Sequence, residues 1–346
     1  MIVTTLNCQG LSSLPKKLAV RRLIEDQFID VLFLQETMGN GLGLVGELES
    51  MLPGQNFISL DAKGMSGGLL IGWRNRHFNL INAWSMGSGL CASLYSTEMK
   101  DVYCFMNIYG PYLDRVRFWN NLLSLDCLKS ARMIFEGDLN FSLGCSEIWG
   151  VKAQVDKLSD FLSEKLDTFG LVDIVPLVLT PTWSNRRIGN DNISKRLDGL
   201  LILADLLDLD LHFRQWVGFW GNSDHHPVFL QLLSNNPKPR SPFKFNANWL
   251  SNGDFVELLK AYWNVYEDNP LVSAASHFVA NLKTIKEVSI AWSVKQKVQE
   301  TKELVEIEGL IADSFKKPGF GFSTENERSS LIELESRRRS ILFIRE

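Results

Sequence analysis

Acids, amides and one histidine stand at scattered points of this 346-residue sequence: Asn7, Glu36, Asp138 with Asn140, Asp198, and Asp224 with His225. Such a set is what metal-assisted hydrolysis of a phosphodiester requires: oxygen ligands for a hard cation, a group to activate water, and donors for charge developing on the phosphate. Each stretch alone has an ordinary reading. Gly137-Asp138-Leu139-Asn140 reads as a turn, Gln35-Glu36-Thr37 as a strand end with a solvated carboxylate, and Asp198 as a surface partner of Arg196. Ser223-Asp224-His225-His226-Pro227 is more distinctive, because two adjacent histidines beside an acid are an uncommon way to fill a loop. Jointly the residues point further: each lies at or near the end of an expected strand, so sheet pairing would gather them at one rim.

The elements that must deliver them are legible in the apolar patterning. Residues 2–6 are β-rich and end in the turn-prone Asn7-Cys8-Gln9-Gly10. Val20, Leu23, Ile24 and Phe28 form one helical stripe before the buried-strand run Val31-Leu32-Phe33-Leu34, which leaves Glu36 just beyond its end. Further strands are predicted over 69–73, 90–95, 102–108, 132–135, 197–203 and 228–232, and helices over 117–128 and 158–166. Strands outnumber helices and the helices come singly. That favours an α+β fold: a four-layer α/β/β/α sandwich of two packed mixed β-sheets flanked by helices, spanning 1–233. Residues 234–242 are rich in Pro, Asn and Ser, as a linker should be. From 243 to 346 apolar residues recur at helical spacing, among them Leu282, Ile285, Trp292, Leu304, Ile307, Leu331 and Ile341, predicting a helical tail open to a helical partner.

Composition sets the outer bounds. With 36 basic and 40 acidic residues the net charge is −4, which argues against a protein that coats nucleic acid by charge alone. The five cysteines, Cys8, Cys91, Cys104, Cys127 and Cys145, contain no C-x-x-C pair and fit intracellular reduced thiols better than disulfides or zinc. The N-terminal residues lack the basic region and cleavage site of a secretory signal. No apolar run approaches the roughly 18 residues of a spanning helix, so a soluble protein without membrane partners is expected. Arg337-Arg338-Arg339, flanked by acids, reads as a solvated helix face.

In family order, the motifs resemble those of the endonuclease/exonuclease/phosphatase superfamily. The likeness to apurinic endonucleases is carried by Gln35-Glu36-Thr37, Gly137-Asp138-Leu139-Asn140, Arg196-Leu197-Asp198 and Ser223-Asp224-His225. A narrower resemblance is to the endonuclease part of plant-type non-LTR (LINE) retrotransposons. It rests on Asn7-Cys8-Gln9-Gly10-Leu11, Ser66-Gly67-Gly68-Leu69, Tyr109-Gly110-Pro111 with Phe118-Trp119, and Thr182-Trp183-Ser184-Asn185. Pro242-Phe243-Lys244-Phe245 through Trp249-Leu250 is similar to the stretch that joins such endonucleases to reverse transcriptase, which makes a reverse-transcriptase region an expected partner of the tail.

The resemblance implies a DNA-nicking phosphodiesterase of the nucleus that uses magnesium, with manganese as a substitute. Carried over, Glu36 holds the metal, with Asn7 and Asp224 completing or tuning the coordination. Asp138, held by Asn140, orients or deprotonates the attacking water. His225, aligned by Asp198, donates to the scissile phosphate or balances its charge; either Asp138 or His225 serves as the base. Tyr109 contacts the phosphate or helps the leaving oxygen depart, and Asn7, Tyr109, Trp183 and Asn185 meet the nucleic acid. Three departures stand against the pattern: Gln9 and Met38 replace charged residues, and Gly199 removes bulk expected to steady the Asp198–His225 pair. Alternatives are the same centre acting on a non-DNA phosphoester, or a decayed remnant kept for binding, though occupancy of every station argues against decay.

Overall fold

The computed structural model describes residues 1–62, 67–125, 132–176, 178–218, 222–234, 243, 245–263, 273–315 and 324–344. In chain order the elements begin β1 (Ile2–Asn7), α1 (Leu14–Asp26), β2 (Val31–Gln35), α2 (Gly41–Met51), β3 (Gln55–Leu60), β4 (Leu69–Arg74), β5 (Phe78–Met86) and β6 (Gly89–Ser96). They continue with β7 (Asp101–Tyr109), α3 (Arg115–Leu123), β8 (Met133–Asp138), β9 (Ile148–Trp149), α4 (Ser159–Thr168), β10 (Leu171–Asp173), β11 (Trp183–Ser184) and β12 (Ser194–Lys195). The last are β13 (Asp198–Leu203), β14 (Leu211–Val217), β15 (Val228–Ser234), α5 (Gly253–Tyr262), α6 (Ala274–Ser314) and α7 (Glu325–Ile344).

Two six-stranded sheets, ordered β14-β15-β1-β2-β4-β3 and β10-β13-β8-β7-β6-β5, form the inner layers, and β11-β12-β9 make a small third sheet. Alternation along the strands divides the apolar residues among three cores. Val3, Val31, Phe33, Ile71, Phe105, Ile134 and Leu200 pack between the sheets. The opposite faces are covered by helices: α1 and α2 bring Val20, Ile24, Leu44 and Leu48 onto Leu6, Leu32, Leu34 and Leu70. On the other side α3 and α4 bring Trp119, Leu122, Leu162 and Leu166 onto Met106, Ile108, Phe135 and Leu201. The result is the expected four-layer sandwich, each large sheet mixed because it holds one parallel pair at its centre, β1 with β2 and β7 with β8.

That topology decides where the chemistry sits. The parallel central strands put their C-terminal ends, Asn7, Gln35, Tyr109 and Asp138, at one end of the sandwich. β13 and β15 run antiparallel to β8 and β1, so they contribute to the same end from their beginnings: Asp198 pairs with Asp138, and His225 lies just before β15, whose Val228 pairs with Thr5.

Some boundaries differ from expectation. Phe28 is not on the first helix, which ends at Asp26; it adopts a left-handed conformation (φ 49°) and is 44% exposed, so the apolar stripe stops at Ile24. α3 ends at Leu123, and the predicted continuation at 126–128, like Cys127, lies outside the described residues. The four described cysteines are free thiols. Ser66, most of the linker (235–242), Pro242 and Lys244 also lie outside the described residues.

The chain divides into two compact units, Met1–Asn235 with Gly309–Phe343, and Asn236–Glu308 with Ile344–Glu346. In the first, the C-terminal segment docks on the sandwich. Trp149 donates its indole N–H to the Phe315 carbonyl (3.0 Å), and Arg338 donates to the Val217 carbonyl (2.7 Å). Arg338 is therefore buried rather than part of a solvated basic face. The second unit is held by an aromatic cluster in which Phe255 meets Trp292 (ring centroids 4.5 Å apart) and Trp249 meets both. No described helix is long and apolar enough to cross a membrane.

Candidate active site

At the rim the chain leaves its strands through strained turns. Gln9, Glu36, Met38 and Asn140 all have positive φ (47°, 51°, 51° and 54°), a conformation that costs non-glycine residues on the order of 1–3 kcal/mol and clusters at functional sites. Gly137, one residue before Asp138, has φ 154°, and any Cβ there would overlap the Ile108 carbonyl oxygen; a glycine is what lets β8 approach β7 closely enough to aim Asp138.

Asn7, fully buried, donates both amide hydrogens, one to Glu36 Oε1 (3.0 Å) and one to Asp138 Oδ2 (2.9 Å), while its own carbonyl accepts from the Gln9 N–H (3.1 Å). Tyr109 donates its hydroxyl to the same Glu36 Oε1 (2.6 Å). Asp138 Oδ1 accepts the backbone N–H of Asn140 (3.1 Å), and the Asn140 side chain donates to the Gly110 carbonyl (2.7 Å). His225 Nδ1 lies 2.8 Å from Asp198 Oδ2, and Nε2 lies 3.6 Å from Asp138 Oδ2. Asn7, Glu36, Tyr109, Asp138, Asn140, Asp198 and His225 thus form one connected group.

Three expected residues, Trp183, Asp224 and Asn185, are placed beside the group rather than in it. Trp183 bridges to His225 through the backbone and donates its indole N–H to Asp224 Oδ2 (2.9 Å), so it orients the loop that carries the histidine. Asn185 spends its side chain closing its own hairpin: Oδ1 accepts from the Arg187 and Ile193 N–H groups (3.1 Å each) and Nδ2 donates to the Asp191 carbonyl (2.8 Å). Asp198 is not paired with Arg196, which instead forms a buried pair with Glu147 (2.6 Å) and a two-pronged one with Asp173 (2.6 and 2.7 Å). Nor does Gly199 loosen the histidine. It faces the opposite side of β13 from Asp198, where a Cβ would stand 2.7 Å from Leu139 Cδ1, so packing is what demands the small residue.

Two side chains outside the expected site set, Thr182 and Arg115, support the group. Thr182 Oγ1 accepts the N–H groups of both Leu197 and Asp198 (2.9 Å each), fixing the start of β13. Arg115 clamps Asp156 with two bonds (3.0 and 2.8 Å) and donates to the Asn140 carbonyl (3.0 Å), holding the strained turn. A lone threonine or arginine gives no sequence signal for such a role, because the partners are distant in the chain.

The electrostatics separate two proton-bearing groups. Burial, with Asp198 adding to it, pushes the Asp138 carboxyl up to about 7 against the pull of His225 and Asn7. Burial alone would lower the His225 imidazolium, but Asp198 and Asp138 outweigh it and raise the ring to about 9. Burial and then Glu36 push the Tyr109 phenol far up, so it stays a donor. Burial raises the Cys8 thiol to about 12, leaving it unreactive.

The group offers oxygen atoms to a divalent cation. Glu36 Oε2 accepts no hydrogen bond from a described residue, and Asp198 Oδ1 is buried without a hydrogen-bond partner among them. Asp138, Asp198 and His225 also offer ligand atoms within 4.8 Å of one another. Hard oxygen donors of this kind suit magnesium.

No protein-family model and no curated protein matches the chain. Solved structures do. An AP endonuclease from Archaeoglobus fulgidus superposes with a TM-score of 0.55 at 15% identity, covering 67% of this chain and 98% of its own. A 3′ phosphatase from Neisseria bound to product DNA hairpin gives 0.54 at 18%, covering 67% and 98%. The endonuclease domain of TRAS1, a telomere-specific non-LTR retrotransposon, gives 0.51 at 18%, covering 68% and 99%. At these identities the likeness is one of fold: the chain carries the α/β sandwich of the endonuclease/exonuclease/phosphatase proteins. Within that class it is similar to nucleases and a phosphatase alike.

Proposed function

We propose that the chain is a divalent-metal-dependent phosphodiesterase that nicks DNA, an endonuclease of the non-LTR retrotransposon type. The observation that carries this reading is the convergence, at one rim, of a carboxylate with a free oxygen (Glu36), a buried carboxylate near neutrality (Asp138) and a charged histidine held by a second acid (Asp198). The TRAS1 likeness and the motif phrases support the retroelement assignment. Residues 1–233 would be the catalytic part, with 243–346 the segment leading toward a further domain.

Glu36 would hold the cation through Oε2. His225 is a poor ligand, since one ring nitrogen is engaged by Asp198 and the ring holds its proton to about pH 9. Magnesium, when bound, would supply positive charge against the phosphate oxygens. Asn7 acts as a clamp: its two N–H groups keep Glu36 and Asp138 a fixed distance apart without adding charge. Asp138 takes the proton of the attacking water, because it titrates near neutrality while the neighbouring imidazole is already protonated. His225, aimed by Asp198, donates toward the phosphate as charge develops there. Tyr109, held by Glu36, offers its phenol at the same mouth.

Supercoiled plasmid tests this directly. Open circles should form with magnesium, vanish with chelator, and vanish in Asp138→Ala and His225→Ala proteins that fold normally. Nicking that survives both substitutions would disprove the assignment of the centre. A 3′-phosphate-terminated oligonucleotide run beside the plasmid separates the nuclease from a phosphatase on the same fold.

A further inference from the structure

Behind the loop that carries Ser223 and Asp224 lies a cavity of about 310 Å³, near the small end of the roughly 300–1,000 Å³ typical of small-molecule sites. Three pieces of chain enclose it: the β11–β12 hairpin, the Ser223–Asp224 loop, and the docked C-terminal segment with α7. Its lining is mixed in chemistry. Phe315, Leu331 and Ile332 contribute apolar surface, and Arg186 and Arg328 contribute cationic groups; Arg328 lies on the same face of α7 as Leu331 and Ile332 and is 3.9 Å from Glu325. The acids that line it are engaged elsewhere, Asp224 by the Trp183 indole (2.9 Å) and Glu335 by Arg338 (3.6 Å).

Asn192 supplies the telling detail. It is 2% exposed and lines the cavity; its Nδ2 donates to the Arg187 carbonyl (2.6 Å), and its Oδ1 has no hydrogen-bond partner among the described residues. A buried acceptor left without a donor costs roughly 1–3 kcal/mol, a cost that a ligand N–H or O–H would remove. Arg186 is held for the same space by a left-handed backbone (φ 55°) and a bond to the Ser223 carbonyl.

We propose that this cavity binds one nucleoside monophosphate unit. Its ring lies against Phe315, Leu331 and Ile332, a donor faces Asn192, and its phosphate meets Arg186 and Arg328. The volume admits one such unit and not two. The choice of a nucleotide among amphipathic phosphates rests on the DNA-cleaving reading, because the cavity and the reacting centre share the loop from Ser223 to His225. The ligand comes either as a free mononucleotide or as a nucleotide unit of a bound strand.

The full chain, with chelator present to stop cleavage, is titrated calorimetrically with a deoxynucleoside 5′-monophosphate, with inorganic phosphate, and with a short single-stranded oligonucleotide. Arg328→Ala should weaken the nucleotide ligand at least about tenfold, the loss of one charge-assisted bond, with an unchanged unfolding midpoint. Arg328→Lys should recover part of that affinity. Binding of the free monophosphate identifies the first source; an Arg328-dependent affinity for the oligonucleotide alone identifies the second. Binding of neither, equal affinity in Arg328→Ala, or inorganic phosphate binding as tightly as the nucleotide overturns the proposal. Plasmid nicking is scored separately: nicking without nucleotide binding removes the cavity site, and nucleotide binding without nicking removes the nuclease reading.

Discussion

The apolar interior between the sheets and the rim above it are built from the same strands, read four residues further along. On β8 the inward-facing residues are Ile134, then Glu136, then Asp138; on β7 they are Phe105, Asn107 and Tyr109; on β1, Val3, Thr5 and Asn7. Between floor and rim runs a buried amide tier. Gln35 donates to Thr5 Oγ1 (2.9 Å) and Asn107 Oδ1 (2.6 Å), and Asn107 donates to the carbonyls of Leu34 (3.0 Å) and Leu70 (2.9 Å). The floor stabilises the fold through area removed from water, about 25 cal/mol per Å² of apolar surface. The rim works against it, with desolvated carboxylates and left-handed turns. Stability and chemistry are thus stacked along single strands, and substitutions a few residues apart should act on different quantities.

The sharpest test of that division is Asp138→Asn. It should lower the nicking rate about 10³-fold, as loss of a general base does. It should also raise the unfolding midpoint at pH 8, because the neutral amide avoids the burial that pushes the Asp138 carboxyl up; in a domain of this size each kcal/mol gained is worth about 2–4 °C. A Phe105→Ala substitution two tiers below should do the opposite. Phe105 is fully buried against the rings of Phe33, Phe78 and Tyr103, so it should lose about 3–5 kcal/mol of stability while the folded fraction keeps its rate. An Asp138→Asn protein that is both inactive and destabilised would break the comparison.

The pH profile sharpens it. With Asp138 as base and His225 as donor, kcat/KM should rise about tenfold per unit up to pH 7, where Asp138 loses its proton, and fall above pH 9, where His225 loses its own. Reversed roles would require the neutral imidazole and the protonated acid together, and activity would be low throughout. Tyr109→Phe removes one hydrogen bond to Glu36 (2.6 Å) and should cost about tenfold in rate.

The smallest effect belongs to the tier between. Both Glu136 carboxyl oxygens are buried without partners among the described residues, and burial raises the group well above its usual 4.5. Folding therefore favours its protonated form, so its contribution to stability is full below pH 4.5 and declines as the pH rises. Glu136→Gln should flatten part of that decline in pH-dependent denaturant unfolding and leave nicking within a few-fold of wild type.

Much of this was readable from the chain itself. Continuous apolar runs such as 31–35 and 69–74 and the polar ends that follow them marked both the strands and most residues of the candidate site, because short buried runs and turn chemistry are local properties. Elements with weaker local signals were not: α2, with three glycines in its eleven residues, and β14, with polar and charged residues interleaved, take their structure from what they pack or pair against. Tertiary structure alone decided which residues meet. Asn7 as a clamp, Thr182 under Asp198, Arg115 behind Asn140, and the docking of Phe315 and Arg338 on the sandwich all join positions far apart in sequence. A local pattern can say that a side chain reaches a rim; only the pairing of parallel central strands with their antiparallel neighbours says which others reach the same one.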